Sequence, residues 1–434
     1  MTHRLNILLA GAALAALVSG AVAGEVTELK PPSLPLGTAT FPNGKVLNLS
    51  VGFGSGAFHR PGDAEGTIFT ITDRGPNIDC AADVKDMIGL DKDAICGGNE
   101  AAKVFPLPAF VPTIYELTIG ADGAIAVART IPLKGTGGNA LNGLSNPLMT
   151  TTTEGAFGAD GKEITKSPDG FDTEGLVALS DGTFWVADEY GASIAHVGAD
   201  GTVIKRLVPA GLEGDYKGAS YPVEGKLPAL VMKRYLNRGI ESIAVSPDEK
   251  SLYFSMQSPL ANPDKDAYKA SRTVRLFKFD IASEAVTGEY AYLLDEPASF
   301  KKDEAKKAGK QNDVKVSELA AVGPDQLLVL ERIARTTKLY RVDLAKASTV
   351  PAAFDDPAAS PTLEQTTDLA AAGVVPVEKS LVLDSDDLAD MPGKIESIAV
   401  VGGQDIVLVS DNDFGIAGDE SRVVRVHLDA PLTN

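Results

Sequence analysis

The chain has 434 residues, with 59 Asp and Glu against 40 Lys and Arg and a formal net charge of −19. That balance argues against nucleic-acid binding, which is driven by basic side chains on phosphate. It is compatible with cation binding and, more plainly, with solubility. No apolar run reaches the roughly 20 residues that a spanning helix needs, so no membrane span is expected.

In chain order, Thr2, His3 and Arg4 make a short positive start, and Leu8 to Val18 is an apolar run the length of a signal-peptide core. Ala21-Val22-Ala23 then offers a small-x-small cleavage site before Gly24. The reading is an exported protein, periplasmic or secreted. Residues 1–23 are its signal peptide and 24–434 its single domain. Both cysteines, Cys80 and Cys96, fall in one loop-like region and predict a disulfide in an exported chain. Ser299 to Lys310, rich in Lys, Ala and Glu, predicts a surface helix.

Elsewhere short runs of Val, Ile, Leu, Phe and Tyr are broken by Asp-Gly, Pro-Asp and Gly-Gly turns, the mark of consecutive antiparallel strands. Four segments overlay as a repeat: Glu174–Asp188, Glu241–Ser255, Glu318–Glu331 and Glu396–Asp411. Each reads as a strand, a tight turn and a second strand, and each opens on Glu. A weaker copy precedes them at Val51–Phe58 and Thr67–Asp73. Further strands follow each hairpin, at Ser193–Val197, Thr202–Leu207, Thr273–Phe279, Glu289–Leu294, Thr337–Val342 and Arg422–Leu428. Four strands per unit around a ring predict an all-β fold, a β-propeller of four-stranded antiparallel blades. Five blades are counted, with room for a sixth inside 344–384, and Lys45–Ser50 is a candidate to pair with the last blade and close the ring.

The repeat also carries the chemistry. Residues equidistant from a hairpin turn face each other, which predicts the pairs Glu174 with Asp188, Glu318 with Glu331, and Glu396 with Asp411. The copy beginning at Glu241 departs, with Ser255 and Gln257 where its acid should be. Facing carboxylates repel, so a cation or an Arg must compensate. Inner-strand ends gathered at one mouth of the channel would cluster oxygen ligands, which suit Ca²⁺ or another hard cation. Asp172, Glu189, Asn412 and Asp413 add further oxygens. In the rival reading, Arg74, Arg238 and Arg332, each beside the motif, simply pair with the acids. The same arginines are also suited to recognising a phosphate or carboxylate.

Asp91–Asp93 and Asp384–Asp387 are fragments of calcium loops without the full pattern and read as solvated loops. Beyond the signal region the histidines are His59, His196 and His427. No His-Glu-x-x-His or Gly-x-Ser-x-Gly occurs, which argues against a zinc protease and a serine hydrolase.

Residues Gly170–Leu179, Phe184–Gly191, Asn237–Asp248 and Asp73–Pro76 resemble the phytase-like, "esterase-like activity of phytase", family of exported bacterial proteins. The resemblance runs from about Val51 to His427. It implies a propeller with bound calcium that hydrolyses phosphoesters or esters of a small anionic, phosphorylated substrate. Motif matches carry over Asp73, Glu174, Asp188, Glu189, Glu241, Glu318, Glu331, Glu396 and Asp411 as metal ligands. Arg74, Arg238 and Arg332, with Glu241, are the catalytic candidates. No general base or phosphate-binding lysine stands out. The protein is expected to act as a monomer. The alternative is a non-catalytic, metal-binding or scaffold propeller in the periplasm.

Overall fold

Residues 24–432 are described in the computed structural model, apart from Ala82 and Pro357. The signal-peptide reading of residues 1–23 lies outside them. The chain is all-β, mostly antiparallel, and built from five sheets of four or five strands with two smaller sheets attached. The first sheet runs Gly56–Phe58, Thr67–Ile71, Thr113–Ile119 and Ile125–Pro132 from its inner to its outer strand. The second runs Thr173–Ala178, Phe184–Asp188, Ser193–Val197 and Val203–Pro209, with Val223–Leu227 added in parallel at the edge. The third is Ile240–Val245, Ser251–Met256, Thr273–Asp280 and Ala285–Leu293. Lys315–Gly323, Gln326–Arg332, Thr337–Asp343 and Lys379–Asp384 form the fourth. In the fifth, Ile395–Val400, Asp405–Ser410 and Val423–Leu428 are joined by Gly24–Leu29.

Inner and outer strands differ in composition because they differ in surroundings. Thr173–Ala178 and Ile240–Val245 are buried along their whole length, as strands covered on both faces must be. The outer strand Ile125–Pro132 buries only its two ends of apolar pattern, Ile125 and Ile131. The innermost strands touch in the order first, second, third, fourth, fifth and back to first. The apolar clusters follow the same circuit. One joins the second, third and fourth sheets, and one each joins the first to the second, the fourth to the fifth and the fifth to the first.

Three expectations need correction. The strand that completes the fifth sheet is Gly24–Leu29, paired with Val423–Leu428 from Gly24 opposite Leu428 to Leu29 opposite Val423. Val46–Ser50 pairs with Pro35–Thr40 in a separate hairpin. Its alternating inward residues, Leu47 and Leu49, pack into a different core. Among the described residues, segment 344–384 forms short 3₁₀ turns and one strand, which belongs to the fourth sheet, and no further sheet. The Ser299–Lys310 helix shrinks to Lys301–Glu304. Asp303 is drawn inward there, accepting backbone N–H bonds from Ala334 (3.2 Å), Arg335 (3.0 Å) and Thr336 (2.8 Å). That tertiary demand outweighs helix propensity.

The long excursion between the second and third strands of the first sheet folds into a cap. Its strands Ile78–Asp79 and Ala102–Phe105 make a small sheet with Gly155–Gly158, which comes from the segment after the first sheet's last strand. Two short helices, Val84–Ile88 and Lys92–Ile95, accompany it. The predicted Cys80–Cys96 disulfide is present. With the Pro35–Ser50 hairpin these elements share their own apolar core, which includes Phe41, Val84, Ile95 and Val104.

Candidate functional site

On every inner strand but the short first one, the ladder slips near the leading acid. The slips lie between Thr173 and Leu176, Ile240 and Ser242, Val316 and Glu318, and Ile395 and Ser397. Such bulges re-aim the extra residue. In three sheets that residue is Glu174, Glu241 or Glu396, and all three line one cavity of about 230 Å³. Asp73, Arg74, Glu189, Arg238, Arg332 and Asp411 line it too, as do Asp172, Lys315, Asn237 and Gln257.

The facing pairs predicted from hairpin symmetry do not form, because the bulges shift the register by one. Thr173, not Glu174, is opposite Asp188. Asp188 turns away from the cavity and pairs with the buried Arg206 at 2.8 Å, while accepting N–H bonds from Asp172 and Gly191. Glu331 is opposite Val316. It points between the third and fourth sheets, toward Lys379, the Tyr292 hydroxyl and the Asp295 N–H. Ile395 is opposite Ser410, so Glu396 instead pairs with Arg332 while Asp411 reaches the cavity from its own loop. Glu318 is the largest departure. A second slip between Ala321 and Gly323 puts Ser317, not Glu318, at the position of Glu241 and Glu396. Glu318 is fully buried and accepts the N–H of Leu319 at 3.0 Å, with the backbone N–H groups of Ala57 and Ile243 close enough to favour its charged form, though burial pushes its carboxyl well above the usual range. Its carboxyl therefore sits among the inner strands of the first, third and fourth sheets.

The carboxylates of the cavity form two groups that share a member. Asp73, Asp172 and Glu174 each offer an oxygen within 4.8 Å of the others, and so do Glu174, Glu189 and Glu241. Burial, and then Glu241, Asp73 and the neighbouring acids, push the Glu174 carboxyl well above the usual carboxylate range. Burial and Asp172 do the same to Asp73. Glu189 is raised by burial and by Glu241, against the pull of Arg238 and Lys315. Asp411 is pushed up to about 7 by burial and by Asp413.

Arg238, Arg332 and Lys315 form a cationic part of the lining, beside Arg74 and Lys103. Arg238 follows Asn237, which adopts a left-handed φ of 56°. Gly239 follows, where a Cβ would come within 2.0 Å of the Glu189 carbonyl. This close approach holds Arg238 beside Glu189, 3.5 Å from Oε1. Arg332 donates to Ser317 Oγ at 2.8 Å and pairs with Glu396. Lys315 is directly opposite Arg332 in the strand pair. Burial, then Arg332 and Arg238, lower its ammonium to about 7. Lys315 carries no signal of its own in the sequence, because the register that sets it opposite Arg332, an unfavourable pairing of like charges, is fixed by the bulges of the backbone. Arg74 has a different role. It is buried between Phe105 and Tyr190, donates to the Gly143 carbonyl at 2.9 Å, and meets Glu154 at 3.0 Å and Asp172 at 3.5 Å.

The residues present fit a hard cation. Beyond the two carboxylate groups, Glu189 Oε1, Asn237 Oδ1 and Gln257 Oε1 are buried oxygens without a hydrogen-bond partner among the described residues. Buried acceptors left this way are costly and call for a ligand. All donors are oxygen, the preference of Ca²⁺ and similar ions.

A curated relative, an uncharacterized secreted protein of Arthroderma benhamiae, is 25% identical over 152 residues, which is 32% of this chain and 29% of that protein. The chain thus matches less than a third of that relative's length. Similar solved structures include the PQQ-bound aldose sugar dehydrogenase of Streptomyces coelicolor, at 11% identity over 94% of this chain and 99% of that one, TM-score 0.34. Virginiamycin B lyase from Staphylococcus aureus is 11% identical over 94% and 100%, TM-score 0.32. The family model described as "Phytase-like: Esterase-like activity of phytase" matches residues 54–414, and the chain belongs to that family.

Proposed function

We propose that this cavity is the active site of an exported, calcium-dependent phosphoester hydrolase built on a closed, five-bladed propeller. One observation carries the reading: two carboxylate groups joined at Glu174 share a single cavity with Arg238, Lys315 and Arg332. Burial first, and then repulsion between carboxylates this close, raise Glu174, Glu189 and Asp73. Asp73, Asp172, Glu174, Glu189 and Glu241 would hold a hard cation, which would relieve that repulsion and supply Lewis-acid polarisation of a phosphoryl oxygen. Arg238, Lys315 and Arg332 bind the remaining phosphoryl oxygens and stabilise charge that develops on them. Arg74 orients Asp172 and ties the cap to the site.

The test is turnover of a phosphate monoester by the mature protein with and without calcium and a chelator. Activity should appear with calcium, vanish with chelator, and fall about 100-fold or more in Glu174→Gln and Glu241→Gln. A metal-dependent rise in melting temperature without turnover on any ester would replace this reading with a binding protein.

A further inference from the structure

The cap gives the cavity a limit on what it can take. The space beneath it is about 230 Å³, below the ~300–1,000 Å³ usual for sites that enclose drug-sized ligands. It is lined by ten carboxylates and only five cationic side chains. Among those cations, Arg74 is committed to Glu154 and Asp172. Arg238, paired with Glu189, and Arg332, paired with Glu396, stand with Lys315 in the lining, enough for one phosphoryl group. On the cap side the lining turns acidic. Asp79 and Asp83 come from the cap, and Asp413, which pairs with Lys394, from the loop after the fifth sheet's second strand; Lys103 is the cation within this part of the lining. Asp83 is part-buried. Its carboxyl is pushed up by burial, by Asp79 and by Asp413, against Lys103 and Lys394.

The cap is also fixed in place. The disulfide and its own apolar core hold it together. Ile416 of the 411–418 loop packs into that core, and Phe414 meets Phe110 edge to face at 5.0 Å. Below, Arg74 is clamped between the cap's Phe105 and the second sheet's Tyr190. A second phosphate on a substrate would have to sit against this anchored acidic wall, and like-charge juxtaposition of that kind opposes recognition.

We propose that the cavity selects a compact substrate bearing one phosphate and rejects those bearing two or more, with Asp79 and Asp83 of the cap as the rejecting groups. The inference rests on the hydrolase reading for its substrate chemistry, but the size and charge of the cavity do not depend on catalysis. Two measurements separate them.

In the first, the calcium-loaded protein is given glycerol phosphate and fructose 1,6-bisphosphate at saturating metal. The expected kcat/KM is at least about tenfold higher for the monophosphate. Asp83→Asn and Asp83→Lys should narrow that gap through KM on the bisphosphate, with little change on the monophosphate. Asp83 suits substitution, because it starts the Val84–Ile88 helix without a side-chain cap bond. Equal or better use of the bisphosphate by the wild type overturns the inference, as does a gap unmoved in both variants. The second measurement is calorimetric binding of inorganic phosphate and of pyrophosphate to the same loaded protein. Tighter phosphate binding supports the proposal even where no ester is turned over, in which case the hydrolase reading alone falls. Tighter pyrophosphate binding, or binding of neither, overturns it.

Discussion

The second and fourth sheets begin from the same sequence pattern, a leading Glu and a trailing acid around one hairpin, yet they use it differently. In both, the trailing acid leaves the channel for an internal cation: Asp188 meets Arg206, and Glu331 meets Lys379. The leading acids part company. Glu174 enters the cavity, while Glu318 stays among the inner strands as an acceptor of backbone N–H groups. The cause is one extra slip in the fourth sheet, between Ala321 and Gly323. A single residue of register exchanges one face of a strand for the other, so an aligned Glu becomes a structural group and an unremarked Ser317 takes its place beside Arg332. Within this repeat, identity of residue is a weaker guide to role than position relative to the bulge.

The comparison breaks most readily at the trailing acids. Asp188→Ala leaves Arg206, which has no exposed surface, without its carboxylate. Loss of about 3–5 kcal/mol is expected, as for other buried ion pairs cut on one side, and urea unfolding reads it. Calcium-induced stabilisation of the folded protein should survive. If Asp188→Ala abolished that response with little loss of stability, Asp188 would be a ligand and the division between the acids would fail.

A smaller effect is expected at Glu318. Glu318→Ala frees the N–H group of Leu319 in a closed interior, costing about 1–3 kcal/mol. The metal response should again be intact. At Glu174 the signs reverse. Removing a buried, repelled charge in Glu174→Gln should raise the stability of the metal-free protein by up to about 1 kcal/mol, since its carboxyl is already pushed well above its usual range. The same variant should lose most of the rise in melting temperature that calcium gives the wild type. Matching behaviour of the Glu174 and Glu318 variants toward calcium would erase the distinction drawn between their sheets.

Much of this arrangement was legible in the sequence. The repeat, the four-strand units, the disulfide and most individual strands follow from alternation, turn residues and the expectation of export. Glu174, Glu241, Glu396, Asp73, Glu189 and Asp411 stood out because leading and trailing acids recur around each hairpin. The register within each hairpin was not legible. A bulge leaves no composition of its own; Glu241 and Glu318 each stand before a similar Ala-Val-x-Pro-Asp turn, and only the backbone shows that one slip separates them. The closing strand was missed for a related reason. Gly24–Leu29 and Lys45–Ser50 are both short and β-rich, and which one pairs with Val423–Leu428 is decided by long-range contact. Lys315 looked like any strand lysine until Arg332 was found opposite it.

The subtlest expected effect is on pH, and it uses two groups of the cavity with opposite signs. In the metal-free protein Asp411 titrates at about 7, against an ordinary value of 3.8. The folded form therefore holds a proton that the unfolded chain has released. Its contribution to stability is full below about 4 and is lost as the pH rises through 7. Lys315 runs the other way, titrating at about 7 in the fold against an ordinary 10.5. Its contribution is full above about 10.5 and is lost as the pH falls through 7. Together they place the weakest point of the metal-free cavity near neutrality, where Asp411 is becoming charged and Lys315 has not yet regained its contribution. Stability of the chelated protein, followed by urea midpoint from pH 5 to 10, should dip near pH 7. Asp411→Asn should flatten the acid side of the dip and Lys315→Met the alkaline side. A profile that neither substitution changes would mean that these two groups do not feel the burial and the neighbours on which the electrostatic account of the cavity is built.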